Sequence, residues 1–166
     1  MPTPRISIHN NTACYFTTFT VIRWFHLFDR YNRWNILGES LQYCIDHKNL
    51  KLYGFVFMLN HIHLLFYSPD AAGFIRDFKQ FTTKELKKNI IKNEPHVLNL
   101  FIDKDGSYQL WQPTNMPILI ESEKVFYQKL QYIHYNPVRK QYVSEPEHWY
   151  WSSAHPKHAV QVSSLF

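Results

Sequence analysis

Apolar and polar positions along the chain change period several times, and each change predicts an element. Residues 13–22, ACYFTTFTVI, are rich in β-branched and aromatic side chains and predict a strand. A basic, aromatic connection over 23–32 follows. Beyond it Ile36, Leu37, Ser40, Leu41, Cys44 and Ile45 fall on one helical stripe that ends near residues 47–49. Two apolar runs, 50–58 and 61–67, are separated only by a turn at Leu59-Asn60, and so short a connection predicts an antiparallel pair. Ser68-Pro69-Asp70 stops the second run. Residues 72–92 return to the helical period: Phe74, Phe78, Phe81, Leu86 and Ile90 on one side, Arg76, Lys79, Lys84, Lys87, Lys88 and Lys92 on the other. The stretch 96–120 is less regular. Asp105-Gly106 marks a turn there, and residues 108–112, YQLWQ, predict a short strand. Ser122 is a good N-cap for a last helix over 123–136.

The order β-α-β-β-α-β-α, with adjacent hairpin strands, argues an α+β fold with an antiparallel sheet and helices on one side. At 166 residues the chain fits a single domain over 1–166, with a lead-in at 1–11 and a loop-like tail at 155–166. A hydrophobic content of 45% excludes a disordered chain. The longest apolar run, 52–59, is far too short to cross a bilayer, and the first residues carry no apolar signal core. Cys14 and Cys44 form no CxxC pair and sit among apolar residues, which favours reduced thiols and a cytoplasmic location. The formal net charge of +5 favours a polyanionic partner, and the 17% of aromatic residues can fill a core or stack on bases.

Residues 59–67, LNHIHLLFY, place two histidines inside an otherwise apolar strand. Side chains alternate faces in a strand, so His61 and His63 share one face, about 7 Å apart along the backbone. Two such imidazoles can reach one metal ion. They can equally be a solvated pair on a half-exposed face. No CxxC, HExxH or carboxylate cluster lies near them, so a metal here would be a hard or borderline ion with open positions.

The last helix ends in YIHYNP, 132–137. Phe126, Leu130 and Ile133 recur at core spacing, whereas Gln128, Tyr132 and Asn136 recur on another face. Pro137 disfavours the helical conformation at Asn136, which predicts a helix end there. Tyr132 and Asn136 can be a surface aromatic and a terminator, or a nucleophile and a third metal ligand. An ordinary phenol is almost wholly protonated at neutral pH, so a nucleophilic tyrosine needs a positioned phosphate whose charge is neutralised.

As an ordered set, the motifs MLNHIHLLF, Trp111-Gln112, YIHYNPVRK and HWYWSSA resemble the HUH-type single-tyrosine transposases, in particular the REP-associated branch. The resemblance spans residues 12–154. It implies a ferredoxin-like domain that cuts and rejoins single-stranded DNA near hairpins. His61 and His63 match the paired histidines, Tyr132 the nucleophile and Asn136 the polar residue that completes the metal site. The implied cofactor is Mg2+ or Mn2+, and the implied product is a 5′-phosphotyrosine with a free 3′-hydroxyl. Leu59 stands where a proline is usual, and residues 113–122 lack the basic residues expected there. From the residues alone, Lys79, Lys84, Lys87 and Lys88 offer a phosphate-binding helix face. Arg139 and Lys140 follow the tyrosine helix and suit the DNA backbone. Trp149 and Trp151 can stack on unpaired bases or cap the core. Homodimerisation is compatible with this pattern. A silent nucleic-acid-binding derivative and a water-activating metallohydrolase remain the alternatives.

Overall fold

The computed structural model describes residues 6–165; residues 1–5 of the lead-in and Phe166 of the tail lie outside the described residues. In chain order the main elements are β1 (Ala13–Thr20), α1 (Arg33–His47), β2 (Lys51–Phe57), β3 (His61–Ser68), α2 (Ala71–Asn93), β4 (Ile118–Leu119) and α3 (Glu123–Arg139), with short 3-10 turns between them. The strands form one antiparallel sheet in the order β2-β3-β1-β4. Two βαβ halves interleaved in this way give the expected ferredoxin-like α+β arrangement.

Strand alternation divides the molecule into two faces. From one face Phe19, Phe55, Phe57, Ile62, Leu64 and Phe66 meet α1 and α2 in a continuous apolar core with Leu37, Leu41, Phe74, Phe78, Leu86 and Trp111. The other face carries a smaller cluster, Phe16, Val56, Met58 and Leu65, on which α3 lays Phe126 and Ile133. Two helices thus cover one face, and the third lies opposite. In β2 the register slips between Leu52 and Gly54, so Tyr53 is the extra residue of a bulge. Gly54 then faces α3. A Cβ placed on it would come 2.5 Å from Leu130 Cδ1 and 3.6 Å from Ile133 Cδ1, so the missing side chain lets the helix seat closely.

Three expectations are corrected. The edge strand is β4, not residues 108–112. That stretch contributes only two isolated bridges, Val21 to Trp111 and Ile102 to Tyr108. Leu110 and Trp111 are buried instead, and Trp111 Nε1 donates to Thr82 Oγ1 at 3.0 Å, so this segment plugs the core beside α2. The last helix does not stop at Asn136 but continues through Pro137 to Arg139. Ser122 caps its start as expected, accepting from the Val125 amide. Phe81, assigned to the apolar side of α2, is 52% exposed and lines a groove between α1 and α2.

The start of α1 is tied to the end of α2 by a buried ion pair. Arg33, fully buried, reaches Glu94 at 2.8 Å, the Leu27 carbonyl at 3.1 Å and Asn89 Oδ1 at 2.9 Å, and Arg30 adds a second guanidinium to Glu94. The two arginines hold the Glu94 carboxyl below the usual range although burial opposes them. This network fixes the closed face and takes no part in the site opposite.

Candidate active site

β3 brings His61 and His63 to the α3 face, ring centroids 4.9 Å apart. The helix supplies Tyr132, whose ring stands edge-on to His63 at 5.3 Å and is 42% exposed. Four residues on, Asn136 is buried, and its Nδ2 donates to His63 Nε2 at 3.1 Å. The four residues singled out in the sequence therefore converge within one chain. Continuation of the helix through Pro137 makes this possible, because it carries Asn136 one turn beyond Tyr132 on the inward side.

Each imidazole is oriented through its Nδ1. His63 Nδ1 lies 2.8 Å from Thr18 Oγ1, on the strand position directly across from it. Since Nε2 accepts from Asn136, the proton of neutral His63 is on Nδ1, donated to Thr18. His61 Nδ1 lies 2.8 Å from Asn60 Oδ1, and the Asn60 amide is itself set by donating Nδ2 to the Trp24 carbonyl at 3.0 Å. Both rings are thus held in the tautomer protonated at Nδ1 and unprotonated at Nε2, the state a metal requires, although at His63 the Nε2 lone pair is engaged by Asn136 Nδ2. The Trp24 carbonyl owes its position to two successive left-handed residues, Arg23 (φ 58°) and Trp24 (φ 54°).

Burial and charge keep the pair neutral. Desolvation lowers His61 to about 4, assisted by Lys140 and opposed by Asn136. Desolvation also drives His63 well below its ordinary value, with further contributions from His61, Arg139 and Lys129. Asn136 Oδ1 is buried and has no hydrogen-bond partner among the described residues. An orphaned amide oxygen beside two imidazole lone pairs is a donor set that suits a divalent cation. No group of three His, Cys, Asp or Glu side chains converges among the described residues, so a third donor beside the two imidazoles would have to be of another kind, such as the Asn136 amide.

Around these groups lie residues that sequence reasoning passed over. Phe16 stacks on His63 at 5.5 Å and meets Tyr132 edge-on at 5.9 Å. Lys129 places its ammonium 4.9 Å from the centre of the Phe16 ring. Its position three residues before Tyr132 was a readable signal; the roles of Phe16 and Thr18 depend on strand register and were not readable. Arg139 lies 4.3 Å over the Tyr132 ring and donates to the Tyr132 carbonyl at 2.6 Å. Lys140, exposed, sits close enough for its charge to act on His61.

This geometry can be set beside known proteins. No protein-family profile matches the chain, and no curated protein sequence does. A solved structure of a REP-associated tyrosine transposase bound to a REP hairpin superposes with a TM-score of 0.70 at 16% identity, covering 100% of this chain and 93% of that one. The chain has the fold of a REP-associated tyrosine transposase. A second structure, a candidate transposase from Deinococcus radiodurans R1, gives a TM-score of 0.50 at 18% identity over 80% of this chain and 95% of the other.

Within this transposase fold the other candidate DNA contacts are scattered. Lys79, Lys84 and Lys87 line an open groove with Tyr108, Trp111 and Pro113, on α2 and so across the sheet from the histidines. Lys79 is partly committed, donating to the Gln112 carbonyl at 3.2 Å, and Lys87 lies over the Tyr108 ring at 4.7 Å. Lys88 does not join them: it pairs with Glu85 at 3.1 Å. Trp151 is not a free stacking platform. Its ring stacks on Phe57 at 5.7 Å and packs against Trp34, and Trp149 donates to the Phe57 carbonyl at 2.9 Å. The indoles close the end of α1; the exposed aromatic of this segment is Tyr150. No helix among the described residues is long and apolar enough to cross a membrane.

Proposed function

We propose that the chain is a metal-dependent strand transferase that cuts and rejoins single-stranded DNA through a tyrosine. One observation carries the reading: an exposed phenol, two neutral imidazoles unprotonated at Nε2 and an orphaned amide oxygen meet on one sheet face of one chain. His61, His63 and Asn136 are the groups that would hold Mg2+ or Mn2+. That ion, when bound, supplies charge neutralisation at the phosphate.

The protein's own part follows from its geometry. Tyr132 Oη attacks the phosphorus of a DNA strand, the Oη–P bond forms and the P–O3′ bond breaks. The phenol loses its proton to solvent and the departing 3′-oxygen takes one up, so net charge is conserved. Rejoining reverses these changes with another 3′-hydroxyl. The edge-on contacts of Tyr132 with Phe16 and His63, and the guanidinium of Arg139 above its ring, limit the ring's freedom and favour in-line attack. Arg139 and Lys140 are placed to bind the backbone next to the reacting phosphate. The similar protein was solved with a REP hairpin, and the groove of Lys79, Lys84 and Lys87 on the far face is where we place a duplex stem.

The test is a covalent protein–oligonucleotide band on a denaturing gel, with Mn2+ and single-stranded or hairpin DNA. The band is expected for the unaltered chain, to vanish with EDTA, and to be absent from Tyr132→Phe, which still binds DNA. DNA binding without any band, under both metals and both kinds of substrate, would overturn the reading in favour of a silent binding protein.

A further inference from the structure

The α3 side of the molecule holds three cations around Tyr132, and among the described residues none has a carboxylate within ion-pair distance: Lys129, Arg139 and Lys140. Lys129 differs from the other two. It is half-buried, and among the described residues its ammonium lies over the face of Phe16, 4.9 Å from the ring centre, with no hydrogen bond to a side chain or carbonyl. That ring in turn stacks on His63 and abuts Tyr132. A cation removed from much of its water needs an anion nearby, and a ring face replaces only part of what it loses. The neighbouring imidazoles are neutral, and the charge of Lys129 reaches His63. Nothing in the cluster is negative, and an anionic ligand would supply the partner that the protein does not.

We propose that Lys129 is the residue that takes up charge on the non-bridging oxygens of the phosphodiester attacked by Tyr132. This assignment rests on the strand-transfer reading. On α3, Lys129 precedes Tyr132 by three residues and Asn136 follows by four, so the ammonium, the phenol and the amide share one side of the helix. As the phosphorus passes through its transition state, charge spreads over the equatorial oxygens. An ammonium preset beside Phe16, in a partly dry site, stabilises that charge without reorganising. The same ammonium repels a divalent cation at His61 and His63 while no phosphate is present. Lys129 therefore opposes metal binding to the free protein and favours DNA binding.

These opposed signs make the assignment testable. Lys129→Met keeps the packing over Phe16 and removes the charge; Lys129→Arg keeps the charge. Three readouts are needed, with folding checked by circular dichroism: adduct formation on a single-stranded oligonucleotide with Mn2+, the salt dependence of binding that oligonucleotide, and Mn2+ affinity of the DNA-free protein by electron paramagnetic resonance. For Lys129→Met we expect adduct formation to slow about 100-fold. Its salt slope should fall by about 0.7 for the lost phosphate contact, and Mn2+ should bind more tightly. Lys129→Arg should recover most of the rate. An adduct rate within twofold of the unaltered chain, or unchanged Mn2+ affinity, overturns the assignment. If the unaltered chain forms no adduct, the strand-transfer reading is what fails. The salt slope then decides for Lys129: an unchanged slope in Lys129→Met overturns its phosphate contact, and a lowered one upholds it.

Discussion

The two faces of the sheet are built from the same strands and serve opposite ends. Toward α1 and α2, β1 and β3 present Phe19, Ile62, Leu64 and Phe66, all inaccessible to solvent. One residue along, the same strands present Thr18, His61 and His63 toward α3. On the first face the strand side chains are buried in an apolar core, with the Arg33–Glu94 pair closing its far side. On the second a small apolar cluster stops short, and the space beside it is filled by polar groups that satisfy one another except for Asn136 Oδ1 and the unpaired cations. Stability and chemistry are divided between faces, a division that strand alternation permits because neighbouring positions never compete for the same environment.

Substitutions on each face should separate these roles. The largest effect is expected for Tyr132→Phe, which removes an exposed hydroxyl: adduct formation should fall by about three orders of magnitude or more. Its melting temperature should stay close to that of the unaltered chain. An equal loss of both would show the faces to be coupled. Phe66→Ala on the closed face should do the reverse, costing about 3–5 kcal/mol of stability in denaturant titrations, with the chemistry of the remaining folded protein intact. Asn136→Ala should lower Mn2+ affinity at least about tenfold, measured by calorimetry; unchanged affinity would leave the orphaned oxygen without a purpose.

The smallest effect concerns pH. His61 and His63 are both lowered by burial below the ordinary value of 6.5, His61 to about 4. Unfolding lets them take up protons, so the unfolded chain binds more protons than the folded one between these values. Stability should therefore be full above about pH 6.5 and decline as pH falls toward about 4. Replacing both histidines with glutamine should flatten that decline. His134, also lowered by burial, should leave a residual slope.

Much of this arrangement was legible beforehand. A period of two put His61 and His63 on one face, and a period of four linked Tyr132 to Asn136. Both periods are local properties of backbone geometry. What escaped reading depends on partners distant in sequence. β4 has two residues and is a strand only because Tyr15 and Phe16 pair with it. Residues 108–112 carry strand-like side chains because Leu110 and Trp111 fill the core, which selects the same residue types. Pro137 ended the expected helix too early, since the local rule could not see that packing would carry α3 on to Arg139. For Trp151 the sequence leaves base stacking and core capping open, and the packing of Trp34 and Phe57 against it decides for the cap. The spacing of Lys129 from Tyr132 was readable, but its contact with Phe16 depends on where β1 lies.

The left-handed pair at Arg23 and Trp24 has a bearing on how such a centre can drift over generations. Backbone in that region costs of order 1–3 kcal/mol per residue, and here it aims one carbonyl at Asn60, which in turn aims at His61. The proton on that imidazole is thus governed through Asn60 by a loop far from it in the sequence. A lineage that relaxed this loop would keep its fold, its histidines and its tyrosine while losing the orientation of the first imidazole.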